Sequence, residues 1–236
     1  MEAKVLVIGD VHGACRALKQ VLEKVGLNKG DSLIFIGDYV DGWPESAEVI
    51  DYLIRLANEF SSVFIKGNHD VLCASWLLGN ETDVNWLENK DEPMIKSYEG
   101  ISDERRKLHL DFFSSLKDYY IDPENRLFVH AGFTSMKGPE EEFFASNFSN
   151  DRTLLETALA LRGNVAMNPM FYPKRLRLFR EIFVGHTPTT KYGITTPIHA
   201  GNLWDVDTGA SYHGRISVMD INTKEFWQSD LVESLY

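Results

Sequence analysis

Short apolar runs alternate with longer amphipathic stretches along this chain. "KVLVIGD" is rich in Val and Ile and closes on a glycine, which predicts a buried strand over residues 4–8. "ACRALKQVLEKVGL" spaces Leu18, Val21, Leu22 and Val25 three and four residues apart, the pattern of an amphipathic helix, with Gly26 as its stop. "SLIFIGD" predicts a second buried strand, and "ESAEVIDYLIRLANEF" a second helix with Val49, Ile50, Leu53, Ile54 and Leu56 facing inward. "SVFIKGNHD" predicts a third buried strand. Strand–helix–strand–helix–strand order, with strands buried on both faces, implies a parallel sheet covered by helices, an α/β architecture.

The pattern changes from about Val71 to Tyr120, where polar and aromatic residues mix before the helical stretch "DERRKLHLDFFSSL". A mostly helical insertion is expected over 71–120. Strands resume with "RLFVHAGF" and "EIFVGHTP", and the tail "NLWDVDTGASYHGRISVMDINTKEFWQSD" predicts antiparallel strands joined by turns. No internal repeat or low-complexity linker interrupts the 236 residues, so a single domain over 1–236 is expected.

Composition narrows the classes. Apolar residues make up 44% and charged residues 25%, ordinary for a soluble globular chain able to bury a core. A net charge of −11 argues against broad binding to nucleic acid or to an anionic membrane, and an anionic substrate would need a local reversal of sign. Cys15 and Cys73 have no CxxC spacing, which suits reduced thiols in the cytoplasm. Neither a signal-peptide pattern nor an apolar run of membrane-spanning length is present in the sequence.

Candidate chemistry clusters where the strands end. "GDVHG", "GDYVDG", "GNHD", "VHAG" and "GHTP" each follow an apolar run. Ligands of open α/β sheets bind at the carboxyl ends of strands, so Asp10, His12, Asp38, Asp41, Asn68, His69, His130 and His186 are expected to converge. Taken singly, these residues have ordinary uses: an Asp before a turn caps helices, and an Asn sits in turns. Five strand ends that each pair a ligand-type residue with a glycine form a far more specific signal. Carboxylates and imidazoles without thiolates suit Mn, Fe or Zn. Two ions about 3.5–4 Å apart sharing one carboxylate would use the whole set, and would supply the missing positive charge.

The ordered motifs "GDVHG…GDYVDG…GNHD…VHAG…GHTP" resemble those of the calcineurin-like metallophosphoesterases. The similar branch comprises bacterial and phage relatives of the serine/threonine phosphoprotein phosphatases, together with symmetrical diadenosine tetraphosphatases. The resemblance runs from Gly9 to about Asp220, and "DTGA" is similar to the family's entry into its closing strands. It implies two stacked mixed β-sheets flanked by helices. It implies two metal ions, Mn foremost with Fe or Zn as alternatives. Asp10 and His12 would hold the first, Asp38 would bridge, and Asn68, His130 and His186 would hold the second. A hydroxide between the metals would attack phosphorus, His69 would protonate the leaving oxygen, and Asp41 would hold His69 as a protonated imidazole.

The chain departs from the family pattern in places. Where the motif GDxVDRG carries a phosphate-clamping Arg, this sequence has Gly42 followed by Trp43. Asp70 stands where the eukaryotic phosphatases have Glu, and Lys90 and Asp91 replace a glycine pair in the middle segment. A second family Arg falls between the fourth and fifth motifs; Arg162 is the candidate phosphate-binding residue, with Arg152 and Arg175 competing. His109, His199 and His213 are expected to be structural or at the surface, and the tryptophans to belong to the core, with Trp43 the one placed near the site. The expected activity is metal-dependent phosphoester hydrolysis, foremost on phosphoserine or phosphothreonine in proteins. The alternative is hydrolysis of symmetrical dinucleoside tetraphosphates or other small phosphoesters. A non-catalytic scaffold would be expected to lose metal ligands, and all six are intact.

Overall fold

The computed structural model describes residues 3–80, 92–161 and 171–236. Two five-stranded sheets stack face to face. The first has the order β10-β9-β1-β2-β3, with β1 Val5–Ile8, β2 Ser32–Phe35, β3 Ser61–Phe64, β9 Ser217–Asp220 and β10 Phe226–Gln228. The second has the order β4-β5-β6-β8-β7, with β4 Tyr119–Ile121, β5 Arg126–Val129, β6 Glu181–Val184, β7 Ile198–Ala200 and β8 Leu203–Asp205. β1, β2 and β3 run parallel, as do β5, β6 and β8, while β9 is antiparallel to β1.

The two-residue period of the strands explains the layering. Leu6 and Ile8 of β1, and Leu33 and Phe35 of β2, face a core shared with helices α1 (Cys15–Val25) and α2 (Ser46–Glu59). Val7 and Ile34, between them, point the other way and meet Phe128 of β5 and Phe183 of β6. Those two rings stack at 5.0 Å. Leu127, Val129, Ile182 and Val184 then face a third cluster, closed by the helix Thr153–Leu159. The resulting order is helices, sheet, sheet, helices. The strand–helix alternation pointed to helices on both faces of one sheet; here one cover is the second sheet. A continuous apolar run records that both faces are dry, not what dries them.

Helix α1 forms as its spacing predicts. Leu18, Val21, Leu22 and Val25 are buried, and Gly26, at φ 63°, caps the helix in the left-handed region while donating to Leu22 and Glu23. Each fully buried Leu or Val contributes about 1.5–3 kcal/mol. β3 departs from expectation. It is the edge strand, and its residues are half-buried or exposed rather than buried. The segment 71–120 holds helix α3 (Asn68–Leu77, begun upstream), Glu92–Ser97 and Asp103–Ser115, but it ends in β4, which helical expectation had absorbed. The tail divides between the sheets. β8 joins the second sheet parallel to β6, whereas β9 and β10 form an antiparallel hairpin in the first. Among the described residues, no helix is long and apolar enough to cross a membrane.

Candidate active site

Six parallel strand ends deliver polar residues to one cleft. β1 leads to His12, with Asp10 buried beside it, β2 to Asp38 and Asp41, β3 to Asn68 and His69, β5 to His130, buried against Asp38, β6 to His186, and β8 to Asp207. The cleft has a volume of about 260 Å³ and is lined by His12, Asp38, Asp41, Asn68, His69 and His186, among others. The backbone turns so sharply after these strands that His12, Asp38, Asp41 and His186 all adopt left-handed φ, of 50°, 52°, 73° and 68°. Such conformations cost on the order of 1 kcal/mol or more for non-glycine residues and concentrate at functional sites.

Asp38 is the hub. Donor atoms of His12, Asp38 and His69 lie within 4.8 Å of one another, and so do those of Asp38, His130 and His186. His130 Nε2 is 3.3 Å from Asp38 Oδ2 and 3.2 Å from Asn68 Oδ1. Asp10 is 3.8 Å from His12 Nε2 and accepts from the His186 backbone N–H at 3.1 Å. Thus two trios share one carboxylate, flanked by Asp10 and Asn68. These buried groups suit cations. Burial pushes the Asp10 carboxyl well up, helped by the charges of Asp207 and Asp38, so this carboxylate cluster lacks compensating charge. Burial lowers His12 to about 4 and, with His130 nearby, His186 to about 3; both imidazoles are neutral, the form that ligates metal. His130 Nδ1 faces the Ile36 carbonyl at 3.1 Å, which leaves Nε2 turned toward the trio. Despite burial, the His130 and His69 imidazoles hold the Asp38 carboxyl well below its ordinary value. The donor set fits metal ions.

Across the trio, His69 Nδ1 is hydrogen-bonded to Asp41 Oδ2, and the His69 backbone N–H donates to Asp38 Oδ1 at 3.0 Å. Burial opposes charge on His69, but the Asp38 carboxylate and the bond to Asp41 outweigh it and lift the group to about 9. Asp70 has no place in the cleft. Its buried carboxylate accepts from Asp38 N–H at 2.9 Å, Tyr39 N–H at 2.8 Å and Gly67 N–H at 2.8 Å, bolting the second strand's turn to the third's. The fit there is tight, since a Cβ on Gly67 would lie 2.1 Å from Asp38 Oδ1.

The departures from the family pattern now have physical form. Gly42 lies at φ 89°, and an added Cβ would sit 3.3 Å from the His12 carbonyl oxygen, so the backbone itself selects glycine there. Trp43 does not face the cleft. Its indole N–H donates to the Ala210 carbonyl at 2.7 Å and its ring stacks on Tyr236 at 5.1 Å, tying the tail to the site loop. Of the candidate arginines, Arg162 lies outside the described residues, as do Trp86, Lys90 and Asp91. Arg175 is spent on structure, donating to the Phe133 carbonyl at 2.6 Å and to Thr153 Oγ1 at 3.0 Å. Arg152 lines the cleft, with Nη1 held by Thr187 Oγ1 at 2.6 Å. His109 is buried between Tyr98 and Asp51, His199 stacks on Trp204, and His213 pairs with Glu233.

Asp207, Lys191, Ser211 and Tyr212 also line the cleft, and sequence reasoning gave them no role. Asp207 carried a usable signal: like Asp10, it stands two residues past the end of a strand, here β8, and it is followed by a glycine turn at Gly209. Lys191 lies five residues past His186 and carried none.

A cleft of buried carboxylates and imidazoles at the strand ends of two stacked sheets defines a metal-binding phosphoesterase class. The model of the calcineurin-like phosphoesterase family matches residues 3–220, and the chain belongs to that family. It is 25% identical to a symmetrical bis(5'-nucleosyl)-tetraphosphatase of Neisseria meningitidis, over 94% of this chain and 93% of that protein. It is also 25% identical to an asymmetrical bis(5'-nucleosyl)-tetraphosphatase, PrpE, of Halalkalibacterium halodurans, over 93% of this chain and 91% of the other. Among solved structures, a putative diadenosine tetraphosphatase superposes with a TM-score of 0.65 at 17% identity, covering 96% of this chain and 92% of that one. A serine/threonine phosphatase of Saccharomyces cerevisiae superposes with a TM-score of 0.59 at 17% identity, covering 97% and 79%. These two similarities speak to the fold alone.

Proposed function

We propose that this protein is a dinuclear metal-dependent hydrolase that cleaves dinucleoside tetraphosphates. The observation that carries the chemistry is the Asp38 carboxylate shared by two donor groups, His12 with Asp10 3.8 Å away on one side and His130 with His186 on the other, with the His69–Asp41 pair beside them. Asp10 and His12 would hold one ion, Asn68, His130 and His186 the other, and Asp38 both; manganese is the first choice for a set of oxygens and imidazoles, with iron or zinc as alternatives. Bound there, the ions would polarise a phosphoryl oxygen and make water a nucleophile at neutral pH. His69 would donate its proton to the leaving oxygen, with Asp41 holding the imidazole protonated and oriented from its other nitrogen. Arg152, anchored by Thr187, would hold a non-bridging phosphate oxygen, the task expected of Arg162.

The substrate class rests on the curated relatives, whose names favour dinucleoside tetraphosphates over the phosphoproteins that the motifs alone had put first. Both modes of cleavage occur among them. The test is a panel with the manganese-loaded protein, comparing diadenosine tetraphosphate with phosphoserine and phosphothreonine peptides, read by chromatography. Nucleotide products formed in preference to free phosphate from peptide support the reading. Phosphate from peptide with an intact dinucleotide overturns it in favour of a protein phosphatase.

A further inference from the structure

Among the described residues, the cleft holds two cationic side chains besides its histidines, Arg152 and Lys191, and they are built differently. Arg152 is fixed by Thr187 and the His186 carbonyl. Lys191 makes no side-chain hydrogen bond or ion pair with any described residue. Its backbone is nonetheless firmly placed. It sits in the 3-10 turn Thr189–Tyr192, where the Thr189 N–H donates to the Asp207 carbonyl at 2.9 Å and the Lys191 N–H to the Pro188 carbonyl at 2.9 Å. Thr189 is fully buried, so the turn is pinned to the core beneath. The ammonium is close enough for the buried Asp207 carboxylate to feel its charge. A cation on a rigid base, lining the cleft with no hydrogen bond or salt bridge to a described residue, is suited to an anion that arrives with the substrate.

We propose that Lys191 forms a second anion subsite, which takes the non-reacting phosphates of a polyphosphate chain while the reacting phosphate lies against Asp38, His69 and Arg152. The proposal rests on the dinucleotide reading for the identity of the chain. A phosphomonoester has a single phosphate, which the donor trios and Arg152 already address. A tetraphosphate bridge places further negative charge along the cleft, in a protein of net charge −11 whose site loop carries Gly42 rather than an arginine. Lys191 answers that charge on the His186 side of the cleft. Ser211 and Tyr212, on the loop after β8, line the cleft with it, and Tyr212 is half exposed. A flexible ammonium tolerates the varied torsions of a phosphate chain, whereas a guanidinium fork fixes one phosphate.

Calorimetric titration of the manganese-loaded protein with two probes tests this: orthophosphate, and a diadenosine tetraphosphate analogue with methylene groups at the bridging positions. Lys191→Met should raise the Kd of the analogue about tenfold or more relative to any change for orthophosphate, the scale of one charge-assisted hydrogen bond. Lys191→Arg should recover most of the difference. Equal changes for both probes, or none, would overturn the subsite, as would a wild-type protein that binds the analogue no more tightly than orthophosphate. A parallel assay of wild-type cleavage of diadenosine tetraphosphate reports on the function separately. No product alongside a shifted Kd ratio would sink the dinucleotide reading and leave the polyphosphate subsite standing.

Discussion

At the scale of single residues, the cleft combines strain with polar precision. His69→Asn should lower turnover about 10²–10⁴-fold on substrates with poor leaving groups, because the general acid is lost while Asn keeps the backbone bond to Asp38. The loss should be smaller on p-nitrophenyl phosphate, whose leaving group needs little help. Rates unchanged from wild type on both kinds of substrate would remove His69 from the role. Gly42 gives a second prediction. Restoring the family's arginine, Gly42→Arg, places a Cβ at φ 89°, a cost of about 1–2 kcal/mol. Thermal melts should therefore fall by about 2–8 °C whatever happens to substrate affinity. An unchanged melt would mean that the loop relaxes to another conformation. The same glycine shows what the sequence could and could not say: a missing arginine is visible as a letter, but the left-handed backbone that excludes it depends on the packing of His12 beneath.

At the scale of elements, the convergence at the strand ends was legible because it needs only period and order. Each "apolar run, glycine, ligand" unit fixes a strand direction, and parallel strands share an edge. Partner choice was not legible. β8 and β9 read alike in the tail yet enter different sheets, since pairing is decided by contacts far apart in sequence, such as Leu6 with Asp220 and Val184 with Asp205. β4 was missed because three half-buried residues carry too little periodicity. The loop before the helix Asn147–Asn150 shows a device with no motif at all. The Glu142 carboxylate accepts from the Ser135 N–H at 2.9 Å, from the Thr134 N–H, and from Asn147 Nδ2 at 3.0 Å. Burial opposes this charge, but the Ser135 and Thr134 amides outweigh it and hold the carboxyl near 2, against an ordinary 4.5. A depressed carboxyl stabilises fully above its unfolded value and loses that contribution as pH falls through its folded one. Protection of the Thr134 and Ser135 amides against exchange, relative to the intrinsic rate at each pH, should thus be full above about pH 4.5 and be lost as pH falls toward 2. Glu142→Gln should abolish that pH dependence; if it persists in the variant, the anchor lies elsewhere.

At the scale of the whole molecule, the site imposes a cost on the fold that metal should remove. Asp10, Asp38, Asp205 and Asp207 are all buried, and burial together with mutual repulsion pushes Asp10 and Asp205 well up. Asp205 Oδ2 has no hydrogen-bond partner among the described residues. These carboxylates converge between the two sheets' strand ends, so their repulsion acts on the contact between the halves of the fold. Manganese at a hundredfold excess over its Kd should stabilise the protein by about 2.7 kcal/mol per site, raising the melt by roughly 5–10 °C, and chelation should reverse it. The sharper prediction concerns Asp10→Asn. The amide keeps an oxygen for the His186 N–H but carries no charge, so the metal-free variant should melt above the metal-free wild type. Its response to manganese should shrink, because a proposed ligand has been weakened. Melting curves for both proteins, with chelator and with manganese, decide it. A metal-free variant less stable than wild type would show that Asp10 serves the fold through its hydrogen bond more than it strains it through its charge. An undiminished manganese response would remove Asp10 from the first ion's ligand set.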